Sequence, residues 1–369
     1  MSAVELAALT GRLSGLMSAH LDQARLEKLL SRFPDARIAV LGDFFLDRYW
    51  DIDPRWEERS VETGKPAHQI ARVRCSPGAA GTVVANLAAL DTAKLLAVGF
   101  TGNDGEAFEL RRGLTTLGCS TEHLHTADNR YTPTYTKPRN LNTPGLAGEH
   151  SRLDTKNRQT TPESVQQAVI DSLHSIIDQV DAVIVIDQVE ATDCGTVTQP
   201  VREALSAIAQ SHERVHFWVD SRRHIHEFRH VIVKPNEFET VHDHDPQPGA
   251  SVPIEQLKVA GHQMHRRTGA PVFITRGARG ICVAESEWSE IPAVHVEGET
   301  DTTGAGDSAT AGCVLALCAG ASSREAALTG NLVASLTIQQ LATTGTARRS
   351  QLPERLHLWQ TQQTQSGEV

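Results

Sequence analysis

Residues 300–312 read TDTTGAGDSATAG: three glycines, five hydroxyl side chains and two aspartates in thirteen positions, running on into the apolar CVLALCAG. The stretch follows a strand-like AVHVEGE (293–299), and its Ala, Gly and Ser content predicts a tightly packed helix starting near Gly304. N–H groups at a helix start have no intrahelical partner, and glycines let an anion's oxygens approach them closely. Asp307 is out of place in a turn that only binds phosphate, because it would repel its ligand. It suits a general base that takes the proton of an attacking hydroxyl while backbone donors hold the transferred group. A plainer reading makes Asp307 a helix cap. The turn has neither the Gly-Lys-Ser/Thr of a Walker loop nor the GxGxxG of a dinucleotide site.

Upstream of this turn the chain alternates. RIAVLGDF (37–44), LLAVGFTG (95–102), AVIVID (182–187), VHFWVD (215–220), HVIVKPN (230–236) and PVFITRG (271–277) are apolar runs ended by Gly, Asp or Pro, the pattern of buried strands. TVVANLAALD (82–91), GEAFELRRGLTTLG (105–118), PESVQQAVIDSLHSIID (162–178), TQPVREALSAIAQS (198–211) and IEQLKVAGHQMHRRTG (254–269) carry the helical period. The alternation predicts one α/β domain with a mostly parallel central sheet covered by helices on both faces. Two stretches, about 48–75 and 130–155, differ: HQIARVR and TPTYTKPR are polar on one face and predict a small β lid. Residues 1–36 read as an amphipathic helical extension, with Leu6, Leu9, Leu13, Leu16 and Met17 near helical spacing; 351–369 read as a helix end and a polar tail that frays.

Composition narrows the partners. A net charge of −10 offers no overall positive field for nucleic acid or an anionic membrane, so an anionic ligand needs a local site. No apolar stretch is long enough to span a bilayer. The six cysteines form no CxxC pair, which suits reduced thiols and a cytoplasmic location. RRHIHEF (222–228) and VHDHDP (241–246) have histidines without a metal enzyme's spacing and read as solvated loops.

DTTGAGDS (301–308) with its small-residue helix resembles the signature of the ribokinase-like, or PfkB, carbohydrate kinases, and five other segments match that family in order. They are VLGDFFLDRYW (40–50), SPGAAGTVVANLAAL (76–90), VKPNEFE (233–239), ITRGARG (274–280) and GNLVASLTIQQLATTG (330–345). The resemblance implies a ribokinase-like three-layer fold over 37–350 with a small β lid. It further implies an enzyme that moves the γ-phosphoryl of ATP to a hydroxyl of a sugar or sugar phosphate, with Mg2+, a monovalent cation and a homodimer formed through the lid. GDFFLDRYW, TPTYTKPR and RLD (152–154) are most similar to the kinase domain of bacterial ADP-heptose synthesis enzymes, whose sugar already bears phosphate. Many of those carry a nucleotidyltransferase domain after the kinase, and this chain is expected to be too short for one. Two other readings stay open: a non-catalytic sugar- or nucleotide-binding member of the fold, and a kinase for a nucleoside or another small alcohol.

Carried over position by position, the resemblance makes Asp307 the base, with the backbone of Gly304, Ala305 and Gly306 facing the transferred phosphate. Asp47 becomes the sugar-hydroxyl ligand, since one carboxylate accepts from two hydroxyls; Asp43 is a second candidate, or else a strand-terminal acid bonded to nearby backbone. Gly78 begins the substrate segment, where Ala79 and Thr82 stand in place of a second glycine and an asparagine, and Asn86 follows one turn later. Lys137 and Arg139 on the lid are candidates for a substrate phosphate, or a solvated surface. Asn236 and Glu239 are assigned to magnesium through water, against a reading as a simple helix start. Thr275, Arg276, Gly277, Gly280 and Asn331 fall on the nucleotide side, where Asn331 equally suits a buried neighbour. Asp187 ends a strand on the ligand side, and Glu190 stands where the heptose kinases have a lysine.

Overall fold

The computed structural model describes residues 21–143, 146–341 and 343–366, so the leucine-rich stretch 6–17 and the final three residues lie outside it. In chain order the strands are β1 (Arg37–Gly42), β2 (Phe44–Ile52), β3 (Glu58–Arg59), β4 (Pro66–Ala67), β5 (Ile70–Ala79), β6 (Lys94–Thr101), β7 (Cys119–Thr126), β8 (Thr134–Asn140), β9 (Leu153–Thr155), β10 (Ala182–Asp187), β11 (His216–Ser221), β12 (Ile232–Val233), β13 (Val272–Thr275), β14 (Ile281–Ala284) and β15 (Trp288–Ile291). Nine of them make the main sheet in the order β15-β14-β13-β12-β11-β10-β1-β6-β7. Pairing is parallel from β7 to β13, and the β13–β14–β15 edge is antiparallel.

Alternation along β1 explains the layers. Ile38 and Val40 join one buried cluster with the helix Ala305–Cys318, while Ala39 and Leu41 join another with the helices Glu163–Ile176 and Gln199–Ser211. Each fully buried aliphatic side chain contributes about 1.5–3 kcal/mol, so covering both faces stabilises a strand that would be insoluble alone.

At Gly42 the chain leaves this sheet. Its φ is +149°, and a Cβ there would lie 2.1 Å from the Ile186 carbonyl oxygen, so only glycine fits. β2 then enters a separate four-stranded sheet ordered β5-β2-β8-β9. HQIARVR and TPTYTKPR fall on β5 and β8, as their one-sided polarity predicts.

Three elements depart from the sequence reading. AVHVEGE is not a strand: β15 stops at Ile291, and the extended chain beyond it is held by the C-terminal helix through Trp359 to the Pro292 carbonyl (2.9 Å) and Gln362 to His295. β12 is only two residues long. The edge strand β7, CSTEHLHT, is too polar to stand out by periodicity: it pairs only with β6, and only Cys119 and Leu124 of it are buried.

Candidate active site

The helix Ala305–Cys318 begins where expected, with Gly304 as N-cap at φ +78°. Ala305 N–H is already used, donating to the Thr302 carbonyl at 3.1 Å, which removes it from the expected anion hole. Among the described residues no acceptor takes the N–H of Gly304, Gly306 or Asp307. Beneath the turn lies a cation the sequence reading passed over. Lys234 is buried, its Nζ pairs with Asp220 at 2.8 Å, and it lies 3.5 Å from where a Cβ on Gly306 would sit.

Asp307 opens onto a cleft of about 650 Å³ between the two sheets, lined also by Asp47, Ala79, Thr82, Lys137, Thr303 and Gly304. No hydrogen bond among the described residues engages its carboxylate. Burial, reinforced by the charge of Asp220 and opposed by Lys234, pushes its pKa up to about 7. That is the range in which a carboxylate both accepts and returns a proton near neutral pH.

Asp47 lies in β2 with Lys137 of β8 3.5 Å away. Burial raises the Asp47 pKa, and Lys137 opposes the shift. Burial also works against charge on Lys137, but Asp47 and Tyr49 outweigh it and hold the ammonium charged. Gly78 of β5 sits diagonally across, opposite Phe45 and two residues on from Ser76, and an added Cβ there would lie 3.0 Å from the Asp47 Cγ. Glycine is what leaves that carboxylate room.

Asp43 has a different job. Its carboxylate accepts the N–H groups of Thr196 (2.7 Å), Gln188 (2.8 Å) and Val189 (3.0 Å), so it pins the 188–196 loop, and it also lines the cleft. The backbone bonds are those of the strand-terminal reading, and the place in the cleft is that of the sugar-ligand reading. Burial and neighbouring Asp187 nevertheless push its pKa up to about 6. Asp187 has structural partners too: its Oδ2 accepts from Ser221 Oγ at 2.6 Å and bonds His224 Nδ1 at 3.1 Å.

Asn236 and Glu239 form a reciprocal capping box. Asn236 Oδ1 accepts from the N–H groups of Phe238 and Glu239, and Glu239 Oε2 accepts from Asn236 N–H at 2.7 Å. The Asn236 oxygen is therefore not free for a metal. Glu239 lines a pocket of about 250 Å³ together with Asn236, Arg222, Arg223 and Asp243. Burial and Asp220 push the Glu239 pKa up to about 7, a carboxyl that an oxygen-seeking dication bound through water would hold ionised.

Other expected residues lie elsewhere. Arg139 falls outside the cleft lining, its Nε 3.9 Å from Asp51. Asn86 is fully buried with its amide on the Thr82 carbonyl, so only Thr82 reaches the cleft. Asn331 donates to the carbonyls of Ile291 and Pro292, holding the sheet edge as its alternative reading had it. Arg276 is turned along its own hairpin toward Cys282 and Glu290, and neither it, Gly277, Gly280 nor Asn331 lines the two pockets around Asp307 and Glu239. Gly280 is required by φ +88° and a Cβ contact of 2.1 Å to the Ile291 carbonyl oxygen. Thr275 bridges to Asn236 and so sits beside the capping box.

The cleft also gathers Arg152, Lys156 and Arg158 from the polar segment after β8, and Arg222 from the end of β11. In a chain of net charge −10 this concentration of cations is local. Arg152 lies 4.0 Å over the Tyr135 ring and pairs with Asp154. The RLD tripeptide was the only sequence sign of it.

Residues 37–349 match the pfkB family carbohydrate kinase profile. The chain is 30% identical over 334 residues to the bifunctional protein HldE of Shewanella sp. (strain W3-18-1), and 30% over 336 residues to that of Shewanella baltica (strain OS185). Each alignment covers 89% of this chain but only 65% of the relative, so the chain spans less than two thirds of those proteins' length. Among solved structures, it is similar to an Arabidopsis thaliana ribokinase complexed with ribose and ATP (TM-score 0.61, 18% identity, covering 87% of this chain and 98% of that one). It is also similar to Escherichia coli phosphofructokinase-2 in complex with fructose-6-phosphate (TM-score 0.63, 16% identity, 88% and 99%). At these identities the likeness speaks for the fold.

Proposed function

The chain belongs to the pfkB family of carbohydrate kinases, and on that premise we propose that it moves the γ-phosphoryl of ATP to a hydroxyl of a sugar or sugar phosphate. One observation carries the reading: Asp307, its carboxylate unengaged, opens onto the same cleft as Asp47 and adjoins N–H groups without acceptors. In this reading Asp47 orients the acceptor's hydroxyls, with Lys137 favouring its ionised form. Asp307 takes the reacting hydroxyl's proton, and the N–H groups of Gly304, Gly306 and Asp307 stabilise the transferred phosphoryl. Magnesium held through water at Glu239 would neutralise charge on the nucleotide phosphates.

Lys137, Arg152, Lys156 and Arg158 favour an acceptor that already carries an anionic group. Glu190 in place of a lysine argues that its anion is held differently from that of the heptose kinases. We also propose that two copies pair through the β2–β5–β8–β9 sheet and that the enzyme works in the cytoplasm.

The test is ADP release with sugars, phosphosugars and nucleosides as acceptors, run beside Asp307→Asn. Turnover with phosphosugars and not with their unphosphorylated forms supports the reading. Ligand binding without turnover across all three classes would turn it toward a non-catalytic binding protein, and turnover with nucleosides alone toward a nucleoside kinase.

A further inference from the structure

Glu190, the position where the sequence breaks from the heptose kinases, binds two arginines from the loop after β11: Arg222 at 3.6 Å and Arg223 at 3.3 Å. The backbone of that loop is fixed. Arg222 N–H donates to the Asp187 carbonyl (3.0 Å), Ser221 Oγ to the Asp187 carboxylate (2.6 Å) and His224 N–H to Ser221 Oγ (3.0 Å). The Arg222 side chain is not: it is 57% exposed, and among the described residues its one ion pair is the long contact to Glu190. Arg222 and Glu190 line both the 650 Å³ cleft that holds Asp307 and the 250 Å³ pocket that holds Glu239. The charge of Arg222 acts on both carboxylates, favouring the ionised form of each.

The geometry points to Arg222 as a further catalytic residue: a mobile cation that leaves Glu190 to bind the phosphoryl group in transit between the two pockets, with Glu190 as the residue that positions it between turnovers. The proposal rests on the kinase reading. In the step it serves, the acceptor oxygen bonds to the γ-phosphorus as the bond from that phosphorus to the β-bridging oxygen breaks. The electron pair leaves with ADP and the hydroxyl proton goes to Asp307. Arg222 gains and loses nothing, supplying charge where three equatorial oxygens share it. Lys234 cannot take this part, because it is buried and held by Asp220 at 2.8 Å. An exposed ion pair at 3.6 Å is weak beside a charge-assisted bond from a guanidinium to a phosphoryl oxygen, so Glu190 retains Arg222 only until the phosphoryl is presented.

The experiment compares wild type, Arg222→Gln, Arg222→Lys and Glu190→Gln by ADP release with a working acceptor, by ATP hydrolysis without acceptor, and by calorimetry of Mg-ADP with and without aluminium fluoride. Arg222→Gln is expected to lower kcat about 100-fold or more with KM for ATP changed less than about threefold, and Arg222→Lys to recover part of it. Aluminium fluoride, a planar stand-in for the phosphoryl in transit, is expected to tighten ADP binding in wild type and not in Arg222→Gln. Glu190→Gln is expected to raise acceptor-free hydrolysis several-fold. A wild type that turns over while Arg222→Gln keeps kcat within about threefold overturns the proposal alone. Unchanged acceptor-free hydrolysis in Glu190→Gln removes Glu190 from it. A wild type with neither turnover nor fluoride-dependent tightening sinks the kinase reading and this proposal together.

Discussion

Asp43, Asp47 and Asp307 are the same residue type in three electrostatic settings. Three backbone N–H donors tie the Asp43 carboxylate to a loop, Lys137 opposes the burial of Asp47, and Asp307 is half-buried with no hydrogen bond among the described residues to favour its charge. Only the last has its carboxylate unengaged, as the proposed role of base requires. Asp307→Asn is expected to cut kcat by three orders of magnitude or more while ligand binding persists, as titration calorimetry would report. Because the active base is the ionised form, wild-type kcat/KM should rise with pH and level off above about 7. The stability effect runs the other way. A carboxyl raised in the folded state favours folding below its unfolded pKa and gives up that advantage as pH climbs to about 7. Asp307→Asn should therefore melt higher than wild type at pH 8, by on the order of 2 kcal/mol, with the gap closing toward pH 4. A gap independent of pH would mean that Asp307 is not the strained group.

The junction of β5 with the helix Ala80–Ala89 carries both specificity and strain. Ala79 is forced to φ +50°, ψ −115°, a conformation that glycine adopts and alanine resists. Ala79→Gly should stabilise the fold by about 1 kcal/mol after allowance for glycine's greater freedom in the unfolded chain, seen as a raised Tm. Gly78→Ala should do the reverse to function: its Cβ presses on the Asp47 carboxylate, so KM for the acceptor should rise about tenfold while KM for ATP stays put. An unchanged acceptor KM would remove Asp47 from the acceptor site. These elements also mark what sequence can carry. RIAVLGDF and AVIVID announce buried strands because their interiors, 38–41 and 182–186, are unbroken apolar runs, and the GAGD turn announces its helix because glycines and a following small-residue run have few other uses. Asp43 was illegible because its partners, Gln188, Val189 and Thr196, lie some 150 positions away and present only backbone. Lys234 sits inside VKPNEFE and Arg222 opens RRHIHEF, yet neither stands out there, because the first was read for Asn236 and Glu239 and the second for its histidines; the fold alone brings both cations beside Asp307 and Glu239.

At the scale of the whole molecule, β2 divides the second sheet into two unlike faces. Asp47, Tyr49 and Asp51 pair in register with Tyr135, Lys137 and Arg139 on the polar face. The other face carries Trp50 opposite Val73, Ile52 opposite Ile70 across a bulge, and Leu153 opposite Thr136. Val73, Leu153 and Ile70 are 56%, 57% and 43% exposed, and both edges of the sheet, β5 and β9, are unpaired within the sheet. An apolar face with open edges is the kind of surface a second copy covers, since pairing buries the side chains and satisfies the edge donors together. A net charge of −10 on each copy opposes that association, so screening should strengthen it. Sedimentation velocity is expected to find a dimer whose dissociation constant falls between 50 and about 300 mM salt. Val73→Lys should give a monomer with an unchanged far-UV spectrum, because the exposed Val73 is not part of the monomer's core. Turnover separates the two uses of the sheet. If the monomeric variant keeps kcat, the sheet closes over the cleft unaided and pairing is incidental to catalysis; if kcat and KM change together, the partner sets the position of β2 and, through it, Asp47. A wild type that stays monomeric at high salt and tens of micromolar protein leaves this apolar face to a different partner and removes the dimer from the account.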